Sequence, residues 1–100
     1  MNAKVIKEML EGNSVQVKLV EVGEIGHALS KTIPLDAPIK MIVVSVDTFA
    51  MGHAAATFMK SGYLFLQSSN ILYVAITDSE ITLTNNINDS FNDVQVLLFY

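Results

Sequence analysis

The chain contains no cysteine, and its six basic residues, all lysines, form no cluster. The first absence removes both a disulfide framework and thiolate chemistry. Charge of either sign is scarce: Asp, Glu, Lys and Arg make up 16% of the 100 residues, against about 25% in an ordinary soluble domain. The formal net charge is −4, so the chain repels phosphate backbones, and no nucleic-acid partner is expected. No apolar run approaches the roughly twenty residues that a membrane helix needs. Acidic and polar residues interrupt the first twenty positions, unlike a signal peptide, so neither a leader nor a membrane partner is expected. The five glycines, at 12, 23, 26, 52 and 62, are dispersed like turn and bulge residues and form no phosphate-cradling loop.

What remains is strongly apolar, at 51% of residues. A chain of this length forms one domain and buries about two-thirds of its unfolded surface. So much apolar surface with so little charge implies that part of it is covered by something else, most simply by copies of the same chain.

Residues 1–12 are expected to form a separate helical or docking segment. Asn2 can cap a helix that Gly12-Asn13 ends, and Val5, Ile6, Met9 and Leu10 then make one apolar stripe. Two to three turns are too few to stand alone, so the stripe has to dock on its own domain or on a partner. From residue 13 to 100 the hydrophobic period is two. "SVQVKLVEV" alternates until Leu19-Val20, which suggests a bulge there. "EIGHALSKTI" is a second alternating run, and "PLDAP" (34–38) is a loop because two prolines cannot share a central ladder. "IKMIVVSVDTF", "YLFLQ", "ILYVAIT", "EITLT" and "VQVLLFY" supply further strands, with a hairpin connection at Ser68-Ser69-Asn70 and a polar loop over 85–93. About eight short strands separated by turns predict an all-β fold, an antiparallel β-sandwich or jelly roll.

Candidate chemistry is sparse. His27 and His53 have no positioned nucleophile motif beside them, and two histidines without cysteine are a poor start for zinc. No enzyme activity, cofactor or metal is expected. Asn85, Asn86, Asn88, Asp89, Asn92 and Asp93 are oxygen donors of a kind calcium accepts, but they lack the EF-hand spacing and equally suit turns. Tyr63 and Phe65, two apart, share a strand face, and Tyr73 can pair with them across the hairpin. Phenylalanines are expected in the core, whereas Tyr63 and Tyr73 are candidates for ligand binding through their hydroxyls.

The stretch "DTFAMGHAAATFMKSG" (47–62) combines a histidine with three alanines. A glycine inside it and the flanking strands favour a strand starting near His53. Ala54, Ala56 and Phe58 would then lie on one face and His53, Ala55, Thr57 and Met59 on the other. Alanine is a weak strand former, so its repetition implies close approach of a facing sheet or a neighbouring subunit. Ala54, Ala55 and Ala56 therefore join Val5, Ile6, Met9 and Leu10 as candidate interface residues.

A cysteine-free, acidic array of short strands, decorated with Ser, Thr and Asn and closing in "DVQVLLFY", resembles the small all-β virion components of bacteriophages: decoration proteins, head fibres and receptor-binding tips. The resemblance covers roughly 14–100 and carries no residue role with it. It implies a homo-oligomer, often a trimer, located in the virion. The N-terminal segment would dock on other virion proteins, and a cell-surface receptor or glycan would be a further partner. The expected function is a non-enzymatic structural or adhesive module. The rival is a cupin-like barrel that binds a ligand or metal, with His27, His53 and Glu24 or Glu80 converging. A third reading is a small acidic adaptor that binds a host protein. Outside a virion the chain would be cytoplasmic.

Overall fold

The computed structural model describes residues 3–5, 16–48 and 52–100. Among them the period-two pattern becomes eight strands: β1 (Val17–Ile25), β2 (Ser30–Pro34), β3 (Met41–Thr48), β4 (Gly52–Phe58), β5 (Gly62–Leu66), β6 (Ser69–Ile76), β7 (Glu80–Asn85) and β8 (Phe91–Phe99). They form two four-stranded antiparallel sheets. The first, sheet A, has the order β1-β8-β3-β4, and the second, sheet B, has the order β2-β7-β6-β5. The chain is an all-β sandwich. No helix among the described residues is long and apolar enough to cross a membrane.

The inner faces meet in one apolar core. Ile42, Val44 and Val46 of β3 and Val94, Val96 and Leu98 of β8 pack with Leu64, Leu72, Val74, Ile81 and Leu83 of sheet B. Each of these side chains contributes about 1.5–3 kcal/mol by leaving water. Burial on alternate residues fixes the register, because a one-residue slip would expose the whole set.

The Leu19-Val20 doublet is not a bulge. Alternation continues through it, with Val17 and Leu19 on the outer face of sheet A and Val20 and Val22 on the core side. The doublet arises because both faces of β1 are apolar. The irregularity lies further on, at Gly23, where the pairing with β8 shifts register on either side. Gly23 has φ +83°, a conformation that costs other residues about 1–2 kcal/mol, so the glycine sits where the bulge needs it.

Two other expectations are corrected. "EIGHALSKTI" is not one strand: β1 ends at Ile25, the chain turns with Leu29 N–H donating to the Gly26 carbonyl at 3.1 Å, and β2 starts at Ser30. The polar segment 85–93 is not loop throughout, since β7 runs into Asn85 and β8 begins at Phe91. Pro34 closes β2, an edge strand where a missing ladder donor is tolerated.

The β5–β6 hairpin turns on Gln67 and Ser68, not on Ser68-Ser69-Asn70 as expected, because Ser69 and Asn70 already pair with Leu66 and Phe65 as the start of β6. Gln67 and Ser68 are both left-handed, at φ 53° and 66°. Two such residues define a type I′ turn, which Asn-Gly fills best. Ser68→Gly is expected to stabilise the protein by about 0.5–1 kcal/mol, or roughly 2–8 °C in Tm, measured by calorimetry.

At the N-terminus residues 3–5 are helical, and Ala3 is buried against Leu97 and Phe99 on the outer face of sheet A. Ile6, Met9, Leu10 and the boundary expected at residues 12–13 lie outside the described residues.

Candidate functional site

The histidines do not converge on a shared site. His27, in the β1–β2 turn, donates from Nδ1 to the Ile87 carbonyl at 2.6 Å, which ties two connections at one end of the sandwich. His53 opens the outer side of β4 and donates from Nδ1 to Oδ1 of Asp47, its cross-strand partner, at 2.8 Å. Both members of that pair are about half exposed. Glu24 stands near the end of β1, and Glu80 begins β7 at the opposite end from Asn85. Among the described residues no three acidic, histidine or cysteine side chains gather to hold a metal, and no cavity opens.

The amides of the 85–93 segment serve the fold. Asn85 is 2% exposed. Its Nδ2 donates to the carbonyls of Ile25 at 3.0 Å, Gly26 at 3.1 Å and Asp89 at 2.7 Å, while its Oδ1 accepts the Ile87 N–H at 2.9 Å. One amide therefore clamps the end of β1, the β1–β2 turn and the β7–β8 connection. Oδ1 of Asp89 accepts the Ser90 N–H at 2.8 Å. These are turn-forming bonds of the kind Asn and Asp make to nearby backbone.

The three alanines divide between two faces. Ala54 and Ala56, opposite Val46 and Val44, face the core, so the close approach there is between the two sheets of one chain. Ala54 is buried and offers nothing to a neighbour. Ala55 alone points outward, between His53 and Thr57, and is exposed. It lies opposite Ser45 on the outer face of sheet A, which further across carries Val17 and Leu19 of β1, Leu97 and Phe99 of β8, and Met41 and Val43 of β3; Leu97 and Phe99 are already buried within the single chain. Ala3 packs on the same face, and Val5 beside it is 40% exposed.

The outer face of sheet B is of another kind. Alternation from Leu64, which faces the core, turns Tyr63 and Phe65 outward on β5, and Tyr73 is the cross-strand partner of Tyr63. The Tyr63 and Tyr73 rings lie 4.9 Å apart at 46°, and Tyr63 and Phe65 lie 6.4 Å apart at 53°. Tyr63 is 46% exposed and Phe65 60%. Register then carries the face across the sheet from Tyr73 to Thr84 and from Thr84 to Ser30. The Ser30 and Thr84 hydroxyls are 2.8 Å apart, and those of Thr32 and Thr82 are 3.3 Å apart. Tyr63 and Tyr73 thus come together as their hairpin spacing suggested. Phe65, expected in the core, is instead the most exposed of the three rings. Its position two residues from Tyr63 was the signal that it shares Tyr63's environment.

A β-sandwich with two chemically different outer faces, one largely aliphatic with Phe99 among its side chains and one aromatic with hydroxyls, is the class that fold and surface define. No family model, curated protein or solved structure matches the chain.

Proposed function

We propose that this chain is a non-enzymatic structural or adhesive module that self-associates through the outer face of sheet A and presents the outer face of sheet B to a partner. The observation that carries this reading is the contrast between the faces. One is an apolar stripe, with Leu97 and Phe99 buried at its centre, on which the chain's own Ala3 already packs. The other is an aromatic triplet beside a ladder of paired hydroxyls. Several copies held together present the same weak binding face several times, which multiplies affinity without new contacts. A virion component of the decoration, fibre or receptor-binding kind uses both properties, and a trimer is the assembly that the resemblance to such proteins favours.

Ala55→Arg tests the assignment of the faces. It places a charge on the exposed outer side of β4 and leaves the core untouched. Light scattering is expected to show loss of assembly, with Tm changed by no more than a few degrees, as befits a surface substitution. An unchanged mass for Ala55→Arg removes sheet A from the interface.

A further inference from the structure

We propose that the platform formed by Tyr63, Tyr73 and Phe65 binds the flat face of neutral sugar rings. This rests on the reading that the outer face of sheet B is the one presented to a partner. Three clustered rings on an edge hairpin, two of them strongly exposed, form an apolar floor that the chain's own core does not use. Isolated exposed apolar residues need no explanation, whereas a cluster of rings marks a contact surface.

The rim of this floor is polar and uncharged. Asn70 is the cross-strand partner of Phe65, and Asn86 donates from Nδ2 to Oδ1 of Asn70 at 3.4 Å. On the other side Tyr73 faces Thr84, whose hydroxyl pairs with Ser30 and keeps further hydrogen-bonding capacity. A pyranose has the matching anatomy, with a C–H face to lie on a ring and hydroxyls around its edge. The tyrosine hydroxyls add a polar end to each apolar ring.

Charge separates this ligand from others that stack. Nucleic-acid bases also lie on aromatic side chains, but their binding sites add a cationic groove for the phosphates. The chain carries −4, and strand alternation puts no lysine on the outer face of sheet B. Among the strand residues of sheet B, Glu80, at the far end of β7, is the charge that alternation places on that face. An acidic saccharide would find no strand lysine on that face to pair with, which favours neutral sugars. With no cavity to enclose a ring, the ligand lies along the surface as an oligosaccharide, and affinity comes from several rings or several copies.

The test titrates the intact protein with maltohexaose, cellohexaose and mannohexaose, with hexagalacturonate and a hexameric oligothymidylate as charged comparisons. Amide chemical shifts and tyrosine fluorescence are the readouts. At least one neutral hexasaccharide is expected to shift the amides of Tyr63, Phe65 and Tyr73 saturably, while the charged oligomers leave them in place. Tyr63→Ala is expected to weaken binding about tenfold, the size typical of losing one stacking ring. Tyr63→Phe keeps the ring and retains most of the affinity. Thermal melting of each variant separates lost binding from lost fold. If no neutral hexasaccharide shifts these amides at millimolar concentration, or if binding survives Tyr63→Ala with Phe65→Ala, the sugar proposal is wrong. A failed titration with Ala55→Arg still dissociating the assembly overturns the sugar alone and leaves the two-face reading standing. Dissociation by Tyr63→Ala instead makes the aromatic face the interface between copies and overturns both.

Discussion

Asn85→Ala is expected to destabilise the protein by about 3–4 kcal/mol, a large part of the roughly 5–15 kcal/mol that holds a domain folded. The side chain makes four hydrogen bonds from a buried position, to Ile25, Gly26, Ile87 and Asp89. Each is worth about 1 kcal/mol net when formed, and a buried partner left unsatisfied costs about 1–3 kcal/mol. Water can rescue the part-buried partners but not the Ile25 carbonyl, which the Asn85 amide reaches in a buried position. The isosteric change Asn85→Asp separates hydrogen bonding from packing. It keeps the shape but aims an oxygen, in place of a donor, at three carbonyls. At pH 7 it should be at least as damaging as alanine. Burial among carbonyls raises the folded-state pKa of the introduced carboxyl above its unfolded value of about 4, so the folded state holds its proton more tightly. The variant is therefore least destabilised below about pH 4 and loses stability as pH rises through the folded-state pKa. Urea denaturation at pH 3.5 and pH 7, each referenced to the wild type, measures this. Equal stability of wild type and Asn85→Asp at pH 7 would show that the amide is not a clamp.

Phe91→Ala is expected to cost about 3–5 kcal/mol, the range for removing a buried aromatic ring from a core. Phe91 is fully buried and opens β8, where it pairs with Ile25 on one side and Thr48 on the other. The ring therefore sits where β1, β8 and β3 meet, with strands on both flanks to hold the cavity open. Collapse is difficult at such a site, which places the cost toward the upper end of that range. The matched control is Asn92→Ala, one residue on and exposed, which should stay within about 0.5 kcal/mol. Chemical denaturation with an unchanged m-value identifies the Phe91 loss as native-state destabilisation.

The sandwich was legible in the sequence because its inner faces follow the period-two rule with few exceptions. Val94, Val96 and Leu98 alternate in β8, as Ile42, Val44 and Val46 do in β3. The misjudged places are those where alternation fails for a physical reason. Phe91 and Val94 are three apart yet both buried, because β8 takes up extra residues against β1 and β3 around Asn92 and Asp93. With the period broken and the composition polar, that segment looked like a loop. Leu19-Val20 broke the simple pattern for another reason: β1 has an apolar outer face as well as an inner one, and that requires knowing what lies outside the sandwich. The alanine run showed close approach, but composition could not say to what. For Ala54 and Ala56 it is the facing sheet, and only Ala55 looks outward. Of the aromatic platform, the Tyr63–Tyr73 pair followed from hairpin spacing. The spacing also put Phe65 on the same face as Tyr63, but it did not reveal the exposure of that ring, because phenylalanine is ordinarily a core residue and the alternation across Leu64 is what turns it out. Asn85 was visible as one of several loop amides. Its burial depends on the β1–β2 turn some 60 positions earlier in the chain, a pairing that no local pattern encodes.

The apolar excess of the composition and the apolar outer face of sheet A lead to one quantity, the mass of the protein in solution. Size-exclusion chromatography with light scattering, run across micromolar concentrations, measures it directly. Self-association predicts a multiple of the 10.9 kDa chain mass, three copies on the resemblance to phage virion modules. A strict 10.9 kDa monomer throughout that range would contradict it.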